Sequence, residues 1–299
     1  MRIAVRRLGM VLPLLVLAAC GSTGPKTSAV SSVPSDGPQV IDDDGAARQL
    51  AVRVCRSPDE RAPAPLAIIN HGAPSQAENI PRMQPTGCDS EPARWFMARG
   101  FVVVFALRRG FGLSDGAIAE ESGPCEAPDY RHAGEEAARD IDAIVRWSEA
   151  LPGVRRDATV VVGQSTGGWA ALAYAARRDQ RAAAVINMAG GRDRRAFDAP
   201  ETYCHPETLV AAAASYGSTA RVPTLWVYAS NDGHFTPALV ARMEAAFAGA
   251  GGIVDFAPVP PFGADGHQLF YAPCGSRVWG PVVERFLRQT LPRRAPGLS

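Results

Sequence analysis

Short apolar runs alternate along most of this chain with longer stretches in which apolar residues recur at helical spacing. From about residue 45, QLAVRVCR reads as a strand. PLAIIN, FVVVFAL, ATVVVG, AAAVINMAG, PTLWVYAS and GIVDFAPV are near-continuous apolar runs, the pattern of strands buried on both faces. Between them, 90–99, 134–150, 166–178, 236–250 and 277–290 read as helices. The alternation predicts an α/β fold, with a mostly parallel central sheet flanked by helices and right-handed crossovers. In such sheets a site forms at the carboxyl ends of the strands. Residues 191–221 hold one helix-like run, LVAAAASYG, and no strand, and are expected to form a small lid-like insertion over the site.

The first residues break this pattern. Three arginines precede an apolar stretch, Leu8–Ala19, that ends LAAC. This is the layout of a secretory signal spanning 1–19, and the stretch is too short for a comfortable membrane-spanning helix. LAAC followed by Gly21 resembles the bacterial lipoprotein signal. That resemblance implies lipidation of Cys20 and export to a membrane-anchored position on the periplasmic or cell-surface side, the outer membrane where the organism has one. A plain signal peptide with Cys20 incidental is the alternative. The next segment is rich in Ser, Gly, Pro and Thr and is expected to be a flexible tether over 20–44, with the folded body over 45–293.

Export places the body where disulfides persist. Five cysteines follow Cys20, and none has C-x-x-C spacing, which disfavours a structural zinc site. Cys88, Cys125, Cys204 and Cys274 lie after parallel strands, on the expected active-site side. Cys55 ends a strand expected to run the other way. The expected bridges are therefore Cys88–Cys125 and Cys204–Cys274, with Cys55 buried and free.

Composition narrows the chemistry. The only lysine is Lys26, so the folded body offers neither a Schiff-base lysine nor a P-loop lysine. Formal net charge is +1 over 299 residues, and no basic cluster with interleaved aromatics suggests a nucleic-acid partner.

The strongest chemical signal is Gly163-Gln164-Ser165-Thr166-Gly167, between an apolar run and a helix-like stretch. A G-x-S-x-G match gains its meaning from that strand–turn–helix context, where the serine is a nucleophile on a strained turn. A serine needs an imidazole base, and the base needs an orienting acid, in the chain order Ser, acid, His. Three histidines follow Ser165: His205, His234 and His267. His267, after the last apolar run and before the last helix, is the expected base. Asp232, directly after PTLWVYASN, is the expected acid, with Asp265 and Asp193 as alternatives. The oxyanion donors are expected to be the backbone N–H groups of Thr166 and Ala73, with His71 a structural histidine beneath the second of these.

NHGAP, LRRGFGLSDG, VVGQSTGG, VYASNDGHF and GADGHQLF occur in order over residues 65–270. The set resembles the dienelactone hydrolase-like and prolyl-oligopeptidase-like branch of the α/β-hydrolases. The resemblance implies hydrolysis of an acyl bond in a small ester or short peptide, with no cofactor. Dienelactone hydrolases proper use a cysteine where this chain has Ser165, so lactone specificity does not carry over. Arg108 or Arg109, in the glycine-rich loop after FVVVFAL, is a candidate for binding a substrate carboxylate, against a structural reading as a loop-positioning ion pair with Asp115 or a nearby Glu. Trp169, four residues after the serine, is a candidate pocket wall, against a reading as core.

Overall fold

The computed structural model describes residues 37–61, 63–192, 195–196 and 199–292. A two-stranded antiparallel pair, β1 (Gln39–Ile41) and β2 (Ala47–Gln49), precedes the main sheet. The seven main strands are β3 (Val52–Cys55), β4 (Ala64–Asn70), β5 (Val102–Ala106), β6 (Val154–Gln164), β7 (Ala184–Met188), β10 (Thr224–Ala229) and β11 (Val254–Val259). Their order is β11-β10-β7-β6-β4-β5-β3, all parallel except β3, which runs antiparallel to β5. Between β7 and β10 lies a short antiparallel pair, β8 (Arg195–Ala196) and β9 (Ala199–Tyr203).

The apolar strand runs are explained by two separate cores. Alternate side chains point to opposite faces. Ile68, Val104, Val161 and Val185 face one cluster. Ile69, Val103, Phe105, Val162 and Ile186 face the other. The first face is covered by α2 (Tyr130–Glu149), α3 (Thr166–Ala175), α4 (Pro206–Thr219) and α5 (Pro237–Gly249), and the second by α1 (Glu91–Met97) and α6 (Ser276–Thr290). A strand residue buried in this way contributes about 1.5–3 kcal/mol, so neither face tolerates a polar stripe.

Three sequence expectations need correction here. The ordered body begins before residue 45, because β1 pairs with β2 and Asp42 reaches Arg48 and Arg109. Residues 191–221 are not simply a lid. Their second half is α4, the crossover helix from β7 to β10, with Leu209, Ala212, Ala213 and Tyr216 buried in the core. Their first half carries β8 and β9, where the pattern predicted no strand.

The third correction concerns the disulfides: between described residues they are Cys55–Cys88 and Cys125–Cys204, with Cα separations of 5.4 and 5.1 Å, and Cys274 is disulfide-bonded as well. Cys55 is bridged rather than free, and neither expected pair forms. Cys55 pairs in register with Val103, near the amino end of β5. The long segment between β4 and α1 carries Cys88 back down the sheet edge to that level. No described cysteine is free.

Candidate active site

β6 ends in a turn too tight for side chains at its flanks. A Cβ on Gly163 would lie 2.0 Å from the carbonyl oxygen of Gly167, and a Cβ on Gly167 would lie 2.4 Å from that of His71. Between them Ser165 is held at φ 57°, ψ −124°, a backbone region that side chains avoid. Its N–H donates to Met188 O at 3.1 Å, and its carbonyl accepts from Gly191 at 3.2 Å. Ser165 is the N-cap of α3, where a serine hydroxyl ordinarily caps the helix. Here the side chain makes no cap hydrogen bond, which leaves Oγ uncommitted.

The loop after β4 lies directly against this turn. A Cβ on Gly72 would sit 3.0 Å from Ser165 Cβ. The Thr166 and Ala73 N–H groups find no acceptor among the described residues, as a pair of oxyanion donors requires.

His267 and Asp232 come together at the end of β10. His267 Nδ1 lies 3.1 and 3.2 Å from the two carboxylate oxygens of Asp232. Asp232 Oδ1 also accepts the N–H groups of His234 and Phe235 at 2.8 and 2.9 Å. Both residues are buried, at 4% and 7% exposure, so water does not compete for the contact. The couple is tied to the serine turn by Gln164, whose amide donates to His267 O at 3.1 Å. No hydrogen bond joins Ser165 Oγ to the imidazole among the described residues. Such contacts commonly tighten only when substrate binds.

Asp265, the alternative acid, has a different task. Its Oδ1 accepts the N–H groups of His267 and Gly233 at 2.9 and 2.8 Å. Partial burial pushes its carboxyl up, but those hydrogen bonds and the nearby histidines outweigh burial and hold it below the usual range. It holds the backbone of His267 in place. Gly266, between them, has no room for a side chain: a Cβ would meet Ala229 at 2.4 Å. Asp193 lies outside the described residues, as does Cys20.

Three further candidates are placed as structure. His71 is buried. Its Nε2 accepts the Arg108 N–H at 3.1 Å, so the proton sits on Nδ1, which donates to Gly72 O at 2.9 Å. Burial, reinforced by the Arg108 charge, pushes its pKa down to about 3, and this ring stays neutral. Arg109 is not available to substrate. Its guanidinium is 2% exposed and is shared among Asp140, Glu136 and Asp42. Burial opposes its charge, and those carboxylates more than restore it. Trp169 is core: it is fully buried, donates to Tyr130 O at 2.8 Å and packs on Tyr216.

Arg108 takes the structural reading of an ion pair with a nearby glutamate, while its link to the serine turn had no trace in the sequence. This fully buried arginine pairs with Glu120 and donates to His71 O at 2.9 Å and Thr166 Oγ1 at 3.4 Å. It therefore links the two segments that carry the candidate oxyanion donors. Glu120 is shared with Arg192 at 2.7 Å. Burial would raise the Glu120 carboxyl, but the two arginines hold it at about 2. Glu120 shares the polar stretch 114–129 with Glu121 and Glu126, and no pattern singles it out among them. No group of three or more His, Cys, Asp and Glu able to hold a metal ion occurs among the described residues.

Residues 44–219 match the model of the X-Pro dipeptidyl-peptidase (S15) family. The chain belongs to that family. It is thus a serine hydrolase on the α/β-hydrolase fold, as the ordered motifs implied. No curated protein matches the sequence. Among solved structures, it is similar to Est1E from Butyrivibrio proteoclasticus, determined with ferulic acid bound, at 17% identity and TM-score 0.55, covering 84% of this chain and 98% of that one. It is similar to an acetyl xylan esterase from Paenibacillus sp. R4 at 14% identity and TM-score 0.57, covering 88% of each chain. It also resembles dipeptidyl peptidase 4 of Porphyromonas gingivalis at 16% identity and TM-score 0.57, covering 85% of this chain but 35% of that one. At these identities the likeness establishes the fold that S15 members share with esterases and peptidases.

Proposed function

We propose that this chain is an exported, lipid-anchored serine hydrolase that cleaves carboxylic esters through an acyl-enzyme. Ser165 Oγ attacks the scissile carbonyl while His267 Nε2 takes its proton. Asp232 fixes the imidazole with the Nδ1 proton toward the carboxylate and balances the imidazolium that forms. The Thr166 and Ala73 N–H groups hold the oxyanion. His267 then returns the proton to the leaving alcohol, and water repeats the sequence on the acyl-enzyme.

The observation that carries this reading is the strained, uncapped Ser165 beside the buried His267–Asp232 couple. Labelling of the purified protein with a fluorophosphonate, lost in Ser165→Ala, tests it. A folded wild-type protein that resists the probe overturns it.

A second reading, cleavage of peptides, is favoured by the S15 match over residues 44–219. A dipeptidyl-peptidase must also hold the free ammonium of its substrate. The carboxylates described around the site are already engaged: Glu120 by two arginines, and Asp232 and Asp265 by N–H donors. Ester cleavage needs no such anchor, and an alcohol leaves more readily than an amine. Rates on p-nitrophenyl esters against Xaa-Pro p-nitroanilides separate the two readings. Anchoring through Cys20 is tested by metabolic labelling with an alkyne fatty acid, which should mark wild type and not Cys20→Ala.

A further inference from the structure

His234 stands two residues after Asp232 in the loop that follows β10, half-buried. Its N–H donates to Asp232 Oδ1 at 2.8 Å. Its ring lies against the ring of His267, with centroids 4.0 Å apart and planes inclined by 32°. One residue therefore touches both members of the acid–base couple, Asp232 through its backbone and His267 through its ring face. Phe235 adds a further aromatic wall, its centroid 5.8 Å from that of His267.

Like charges at such a distance disfavour each other's ionisation. Among the described residues, these groups face that pair. Asp232 meets the Nδ1 edge of His267 from the β10 loop. Asp265 approaches from the turn before His267 and feels the charge of both rings. From the serine turn come Gln164 and Ser165, which carry no charge.

Resting on the triad proposed above, we propose that His234 is a positioning residue for His267. It buttresses one face of the imidazole and, when it holds a proton itself, keeps His267 neutral and able to act as base at lower pH. The sign follows from electrostatics. A proton on His234 penalises a second proton on His267, which extends the active form downward in pH. A neutral residue in its place removes that penalty. A permanent cation imposes it at every pH.

The experiment compares the full-length wild type with His234→Gln and His234→Arg. Two readouts are taken: ring titrations of the histidines by 1H–15N NMR, and kcat/KM for a p-nitrophenyl ester against pH. The Gln variant should titrate His267 about one pH unit higher than wild type, and the Arg variant about one unit lower. The acid limb of kcat/KM should move the same way in each. The wild-type limb should also be broader than that of a single group. A His267 titration that is the same in all three proteins overturns the proposal. So does a shift of the same sign in both variants, which is what mere loss of packing would give. The NMR readout needs no turnover, so a failure of the Ser165 assignment, seen as absent fluorophosphonate labelling, is distinguished from a failure of this one.

Discussion

Two turns at the carboxyl end of the same sheet, one after β5 and one after β6, treat their polar groups in opposite ways. After β5, Arg108 and Arg109 are both buried. Their guanidinium groups are given over to Glu120, His71 O and Thr166 Oγ1 in one case, and to Asp140, Glu136 and Asp42 in the other. After β6, the Ser165 hydroxyl caps nothing, and the Thr166 N–H finds no acceptor among the described residues. Ser165 and Thr166 are only partly buried, so these unused groups stay open to whatever enters the site. The comparison separates a turn that holds the body together from one held ready for chemistry, although only β4 lies between their strands.

The sharpest way to break this contrast is Ser165→Ala. Turnover should fall by at least about 10⁴-fold, and the melting temperature should stay within a degree or two of wild type, because the hydroxyl makes no cap hydrogen bond. A large loss of stability would place the serine among the structural groups instead. Arg109→Ala should behave in reverse. Removing it leaves Asp140, 2% exposed, without its partner, at a cost of about 3–5 kcal/mol. Denaturant unfolding measures that cost, and fluorophosphonate labelling per folded molecule should be unchanged. If labelling collapses while the fold survives, Arg109 serves the site after all.

A smaller effect is expected from the bridge that closes the excursion between β5 and α4. Replacing Cys125 and Cys204 together by serine should lower stability by about 2–4 kcal/mol, with non-reducing peptide mapping of wild type showing the Cys125–Cys204 and Cys55–Cys88 pairs. The gentlest test uses pH. Folded His71 takes up its proton only near pH 3, against an ordinary value of 6.5. The unfolded chain takes it up first, so this contribution is complete above about pH 6.5 and is lost as pH falls toward 3. Glu120, at about 2 against 4.5, loses its contribution in the same direction at lower pH. His71 alone should therefore withdraw about 1 kcal/mol per pH unit as pH falls from 6.5 toward 3, against a contribution of opposite sign from Asp140, whose carboxyl burial raises to about 6. His71→Gln should remove that contribution, read most cleanly between about pH 6.5 and 5.5, where Glu120 is still almost wholly ionised in the unfolded chain.

The strands were legible because each is an apolar run long enough to cross a sheet buried on both faces, and their order of appearance carried the α/β reading. The positions of Ser165, Asp232 and His267 at the carboxyl end of the sheet were legible for a related reason: each stands directly after such a run or before the last helix. Arg109 and Trp169 were not, because a sequence does not say which side of a turn a guanidinium leaves from, or that the first turn of a helix after a nucleophile faces inward. The cysteines failed on a geometric point. Their pairing depends on how far the segment after Asn70 descends before α1 begins, and nothing in the spacing of Cys55 and Cys88 records that path. The contact of His234 with His267 was not legible either, since the meeting of two loops is a property of their packing and leaves no periodic trace.

The Cys125–Cys204 bridge has one more consequence, for how the molecule survives attack. A protease that cuts once anywhere between these two residues, in the exposed turn around Arg178 and Asp179 for example, produces two fragments that stay covalently joined. Such a nicked molecule runs at full size on a non-reducing gel and keeps both halves of the sheet in contact. Damage in the segment that carries Ser165 would show itself only once the thiols are reduced.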